Sequence, residues 1–133
     1  MNKFLLCSMA LLTLALTACE GNTDRFWFFA NNSSQPISVN TMHAGKFFQI
    51  VKDTVQPGEQ IQLASTNQMG GVVAADEDPA ISFITWQIET LQGDTCTKNR
   101  HDAANWSPSV TSLSKIPSNQ RHEYRFTVGD ADF

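Results

Sequence analysis

The sequence predicts an all-β domain, an antiparallel β-sandwich or a partly open barrel of about six or seven short strands. Three observations carry this. Apolar and polar residues alternate in ISVNTM (37–42), ISFITWQIETL (81–91) and HEYRFTV (122–128), the period-two pattern of strands with one face on a core. Turn-forming clusters recur at close spacing, among them NNSSQP (31–36) and QPGE (56–59). Beyond the leader no long segment keeps a helical period, so two packed sheets are the way to bury the apolar faces.

The elements follow in order. Met1 to Lys3 is basic, and Phe4 to Leu16 is apolar apart from Ser8 and Thr13. As a helix that stretch measures roughly 20 Å, short of a ~30 Å hydrocarbon core. The basic start, the short apolar run and the small residues at its end read as a secretory signal over residues 1–18, not a transmembrane anchor. Too few polar positions stand in it to make the polar face of a surface helix. Residues 19–24 form a short polar tether, and a single domain follows over 25–133. The spacer from Glu20 to Asp24 reaches at most about 18 Å.

RFWFFA (25–30), with its aromatic run, predicts a strand buried on both faces or set between core and lipid. With ISVNTM after the NNSSQP turn it predicts a first hairpin. KFFQIVKDTV (46–55) is a further β-like run, and QPGE turns it into Gln60–Leu63. Ser65 to Pro79 has no clean period and predicts a long loop, with a short irregular strand at Val72-Val73. In 81–91, Ile84, Trp86 and Ile88 are expected to point inward. Ser109 to Gln120 reads as a Ser/Pro-rich connection tethered by Val110, Leu113 and Ile116, which fit a helical turn as well as a loop. In the last strand Tyr124, Phe126 and Val128 face in.

The leader ends in Leu16-Thr17-Ala18-Cys19. This resembles the lipobox of bacterial lipoproteins: Leu, a small residue, Ala or Gly, then Cys. The resemblance covers the leader alone. It implies that the Cys19 thiol takes a diacylglycerol, that cleavage falls between Ala18 and Cys19, and that the new amino group is acylated. Each buried CH₂ contributes about 0.8 kcal/mol, so several chains anchor stably where one is marginal. Glu20 follows the cysteine; in enteric-type bacteria an Asp there favours inner-membrane retention, so Glu20 implies passage to the outer membrane. A small sandwich on such an anchor is similar, at the level of architecture alone, to the lipoprotein subunit of type VI secretion membrane complexes.

Removal of 18 residues from 133 leaves 115, one domain with one modest core. Lys3 leaves with the leader, so eight basic residues face 13 acids and the net charge is about −5. That balance argues against nucleic acid as a partner and against a polybasic lipid patch. Cys7 leaves too and Cys19 is lipidated, so Cys96 is the one remaining thiol and no intramolecular disulfide is available.

Chemistry-bearing patterns are sparse. There is no G-x-S-x-G, H-E-x-x-H or P-loop. Cys96 and His101, with Asp94 and Asp102 beside them, are the nearest approach to a nucleophilic or metal-binding group. A solvated loop holding one cysteine is the plainer account. Asp76, Glu77 and Asp78 lack the spacing of a Ca²⁺ loop. Trp86 is expected in the core, and Trp106, in a loop, is the candidate contact residue; for Trp27, near the anchor, contact with the lipid interface is the lesser of its two readings.

The expected function is that of a non-enzymatic lipoprotein of the bacterial outer membrane, on its periplasmic face. Its sandwich binds an envelope protein, as an assembly subunit or as an inhibitor or immunity factor. The expected contacts are Asp76, Glu77, Asp78 and Trp106, on a surface made by Ser65–Pro79 and Asn99–Pro108. No catalytic residue, metal ligand or cofactor is assigned beyond the covalent lipid. The alternative is an envelope enzyme or metal-binding protein using Cys96 and His101.

Overall fold

A computed structural model describes residues 21–71, 73–115 and 117–133. The leader with Ala18, Cys19 and Glu20, and the positions Val72 and Ile116, lie outside the described residues.

Among the described residues seven strands make two sheets. They are β1 (Asn22–Asn31), β2 (Ile37–Ala44), β3 (Phe48–Val55), β4 (Gln60–Met69), β5 (Phe83–Thr90), β6 (Trp106–Lys115) and β7 (Ser118–Val128). One sheet has the order β4-β1-β7-β6 and the other β3-β2-β5. The sheets stay separate, so the expected all-β fold is a sandwich and not a barrel. Its pairings are antiparallel except β1–β7, which is parallel. These strands stand far apart in the chain, so no tight turn has to join them.

The core is built from inward positions of both sheets. Trp27 and Phe29 of β1 lie beside Tyr124, Phe126 and Val128 of β7, and Ile37, Val39 and Ile88 come from the other sheet. The parallel register sets Trp27 against Tyr124 and Phe29 against Phe126. Trp86 packs edge-on to Phe126 at 5.2 Å and tilted against Trp106 at 5.7 Å. The alternation of HEYRFTV is therefore met residue for residue.

Several expectations are corrected. β1 and β2 form no hairpin: they lie in different sheets, and NNSSQP arches across the sandwich between them. The hairpins with short turns are β2–β3 and β6–β7. β1 begins at Asn22, so Asn22–Asp24 are strand and not spacer. Ser65–Met69 continue β4, held by the backbone of β1 although their side chains are polar. Residues 106–115 are strand, neither loop nor helical turn; β6 is an edge, nearly all of its side chains are exposed, and Pro108 is tolerated because an edge strand can spare an N–H. The β2–β5 register skips from Thr85 to Phe83, so Ile84 is a bulge residue and turns outward. Trp27 stands in the core, far from any interfacial role, with its indole N–H donating to the Pro79 carbonyl at 2.8 Å. The QPGE turn is as expected: Gly58 has φ +82°, and Glu59 N–H donates to the Gln56 carbonyl.

Both open sides are closed by specific contacts. On one, the Gln49 amide accepts from Ser65 N–H and donates to the Ser65 carbonyl, both at 2.8 Å, tying β3 to β4 as another strand would. On the other, the segment after β5 doubles back: Cys96 N–H donates to the Ile88 carbonyl, and Trp106 fills the gap beyond. Gly21 and the β6–β7 turn mark one end of the sandwich, the NNSSQP arch the other. Among the described residues no helix is long and apolar enough to cross a membrane.

Candidate functional site

The segment from Asp76 to Ser82 crosses between the sheets and packs over the inner face of the larger one. Hydrogen bonds to both sheets hold it, one of them from Ala44 N–H to the Ser82 carbonyl at 2.7 Å. Trp27 donates to Pro79 as above. Asp76 N–H donates to the Tyr124 hydroxyl at 2.9 Å. The Asp78 carboxylate accepts from Ala80 N–H at 3.0 Å, an Asx-type turn.

The second expected segment meets this one. His101 Nδ1 lies 2.8 Å from Asp78 Oδ2. Arg100 Nε donates to His101 Nε2 at 3.0 Å, which leaves Nδ1 as the protonated nitrogen that donates to Asp78. Asp102 caps a 3₁₀ turn over Ala103–Asn105 by accepting from Ala104 N–H. Trp106 then enters β6, and its indole donates to the Arg100 carbonyl at 2.7 Å. The two loops predicted to share a surface are thus brought together through Asp78 and His101.

Of the expected contacts, Glu77 is exposed, and Asp76 and Asp78 are half-buried. Asp76 lies 3.5 Å from Arg25 Nη2. Trp106 is a correction: it is 4% exposed, packed on Trp86 and Phe126, so its large apolar face belongs to the core and is not offered to a partner.

Behind the segment is a cavity of about 280 Å³, lined by Arg25, Trp27, His43, Thr66, Asp76 and Pro79 among others. His43 is 1% exposed, stacked at 4.7 Å on Trp27 and edge-on to Phe83 at 4.9 Å. Among the described residues neither of its ring nitrogens has a hydrogen-bond partner, and Arg25 Nε has none either. Burial holds the imidazole below its ordinary pKa of 6.5 and so keeps it neutral. The cavity wall thus offers one imidazole donor and one acceptor beside a guanidinium that Asp76 partly balances. Chain pattern gives a signal for these residues: His43 continues the inward parity of Ile37, Val39 and Thr41, and Arg25 that of Trp27 and Phe29. What alternation does not tell is that an inward imidazole goes unpaired.

Comparison with protein-family models, with curated proteins and with solved structures finds no match. The site has to be judged on its own chemistry. Cys96 is half-buried against the core, and burial pushes its thiol pKa up, opposite to what a nucleophile needs. Among the described residues no hydrogen bond joins it to His101, which is engaged with Asp78 and Arg100, and no group of three or more His, Cys, Asp or Glu is placed to hold a metal ion.

Proposed function

We propose that the chain is an outer-membrane lipoprotein anchored through Cys19, on the periplasmic face. Its sandwich binds a protein partner in the envelope and catalyses no reaction. The partner is a neighbouring subunit of an assembly, or an enzyme or toxin that the domain inhibits.

The observation that carries the proposal is the contact between Asp78 and His101 at 2.8 Å. It supports one continuous surface made from two chain segments 23 residues apart. Hydrogen bonds to Trp27, Tyr124 and Ala44 behind it hold one of those segments. A loop held in this way loses little freedom on binding, and that favours recognition. The surface carries the exposed Glu77 and Ile81, a carboxylate and an apolar side chain, and complements a partner that offers a basic group and an apolar pocket.

The test is in-cell photo-cross-linking with a reactive residue at position 77 in the membrane-anchored chain. One stoichiometric partner is expected, and the D78A/H101A pair should weaken its capture several-fold while leaving the amount of folded protein unchanged. Capture of abundant envelope proteins alone, or capture indifferent to D78A/H101A, refutes this surface.

A further inference from the structure

The largest exposed side chains of the molecule include Phe47 at 75%, Met69 at 85% and Leu113 at 57%. They come from three separate parts of the chain, yet all stand at the Gly21 end. Met69 is the last residue of β4 and pairs with Asn22. Beyond it, Gly70 and Gly71 N–H both donate to the Gly21 carbonyl, at 3.1 and 2.9 Å. Phe47 is in the β2–β3 turn and lines one groove with Met69, Thr66 and Asn67. Leu113 is near the β6–β7 turn, where the register with β7 passes from Ser112 to Ser114 and leaves it unpaired, a bulge that directs it outward. In that turn Ser118 lies against Gly21 so closely that a Cβ on Gly21 would overlap its backbone.

Charge is distributed along the same axis. Lys46 precedes Phe47, and Lys115 pairs with Ser118 two residues after Leu113. Asp24, a carboxylate at this end, is hydrogen-bonded by Asn67. The arch end holds exposed Glu59, Asp94 and Asp130, tied to Asn31, Thr90 and Ser34. Lys98 and Arg125 also stand at the arch end but are engaged, with Asp132 and with Gln60, so the Gly21 end pairs its apolar side chains with two lysines while the arch end keeps these carboxylates.

Cys19 precedes Gly21 by two residues, which places its Cα within about 7 Å of Gly21 in any conformation. A lipid on Cys19 brings this end, and no other, against the bilayer. We propose that the Gly21 end of the sandwich is a membrane-docking face. Phe47, Met69 and Leu113 enter the interfacial region of the bilayer, and Lys46 and Lys115 rest on lipid phosphates. The face rests on the Cys19 anchor proposed above and adds to it a fixed orientation. Apolar side chains flanked by lysines suit an interface that is apolar below and anionic above, and the carboxylate-rich end is held away from the phosphates.

The test uses the lipidated chain in vesicles of phosphatidylethanolamine and phosphatidylglycerol that carry brominated acyl chains. A thiol-reactive fluorophore is placed, in a C96S background, at F47C, M69C or L113C, with L91C as the control. Leu91 is exposed too but follows Thr90, which pairs with Ile37 at the arch end. Quenching at 47, 69 and 113 is expected to exceed that at 91 several-fold, since side chains at interfacial depth meet the acyl chains and Leu91 does not. Vesicles that float with the protein bound but quench all four positions equally overturn the docking face and leave the anchor standing. Protein that fails to float overturns both. A signal at 47, 69 and 113 that follows protein concentration in detergent, not lipid, means the face packs on a second copy and also overturns the proposal.

Discussion

Replacing Asn31 by Ala should be among the most damaging polar substitutions in this domain. Asn31 is fully buried where β1 leaves its sheet for the other. Its side-chain N–H₂ donates to the Gln35 and Val55 carbonyls, both at 2.8 Å. Its Oδ1 accepts from Ser33 N–H at 2.9 Å and lies 2.6 Å from the Ser33 hydroxyl. Its backbone N–H donates to the Glu59 carbonyl, and its carbonyl accepts from Gly58 N–H. One residue thus joins the arch, the end of β3 and the β3–β4 turn. In N31A the Ser33 hydroxyl turns to the Gln35 carbonyl, 2.9 Å away, and recovers its bond. Ser33 N–H and the Val55 carbonyl do not. Three lost bonds at about 1 kcal/mol each, with some further cost for buried groups left unpaired, give roughly 3–4 kcal/mol. Against a total stability of about 5–15 kcal/mol this is a large fraction. The assay is urea unfolding of the domain, comparing N31A with N32A. Asn32 is the exposed neighbour, and its substitution should stay within about 0.5 kcal/mol of the parent. If N31A falls within about 1 kcal/mol of N32A at an unchanged m-value, the account of Asn31 as the junction of the arch is wrong.

Two further expectations concern pH and the anchor. His43 is held below its ordinary pKa of 6.5 by burial, and His122 by burial and the charge of Arg25. The unfolded chain takes up these protons as pH falls through about 6.5 while the folded chain resists, so their contribution is full above that pH and is lost below it, at up to about 1.4 kcal/mol per pH unit for each ring. The urea midpoint should therefore drop between pH 7.5 and 5.5, and H43F should flatten the drop; identical pH slopes for parent and H43F count against a neutral buried imidazole. For the anchor, C19A should accumulate as an uncleaved precursor without label from radioactive palmitate. Label persisting in C19A would move the lipid to another residue.

Much of the fold was legible because burial on one face writes itself into the sequence. Ile37, Val39, Thr41 and His43 alternate, as do Tyr124, Phe126 and Val128, and both sets are buried as alternation requires. Strands held by their backbone alone leave no such mark. WSPSVTSLSK and STNQM are edge segments whose partners are carbonyls and amides, so small and polar residues serve there and the pattern reads as loop. Connection between strands was the weakest inference. NNSSQP has the composition of a turn, and composition does not separate a hairpin turn from an arch; what makes it an arch is the inward Asn31 side chain and its reach to Val55, 24 residues on. The same limit governs the site. Asp78 and His101 were each named from local sequence, but their meeting depends on how the segment after β5 folds back along the open side. Trp106 departs from its expected exposure because a Ser-Pro sequence suggests a surface loop, whereas the gap between β5 and β6 needs a large ring to fill it.

The proposed anchor, docking face and contact surface would together restrict how a partner can approach. β1 rises about 3.3 Å per residue. Arg25, which faces Asp76, is four residues beyond Gly21, and Trp27, which holds Pro79, is six beyond. Measured along β1, Asp76 and Pro79 therefore lie about 13–20 Å from the Gly21 end, while Ser82 accepts from Ala44 N–H beside the β2–β3 turn and so stands nearer the proposed docking face. A partner engaging Glu77 and Ile81 is then itself close to the membrane surface. One that spans the periplasm must send an extension down to it. On that proposal the short tether has a physical purpose: a long, free spacer would let the domain tumble and present Glu77 at any height, whereas two residues and an apolar end would hold the surface at one height and one orientation. Lengthening the tether would relax both constraints at once and leave every contact within the domain untouched. Partner capture at position 77 should then fall even though folding and lipidation are intact. If capture is indifferent to tether length, the fixed height plays no part in recognition.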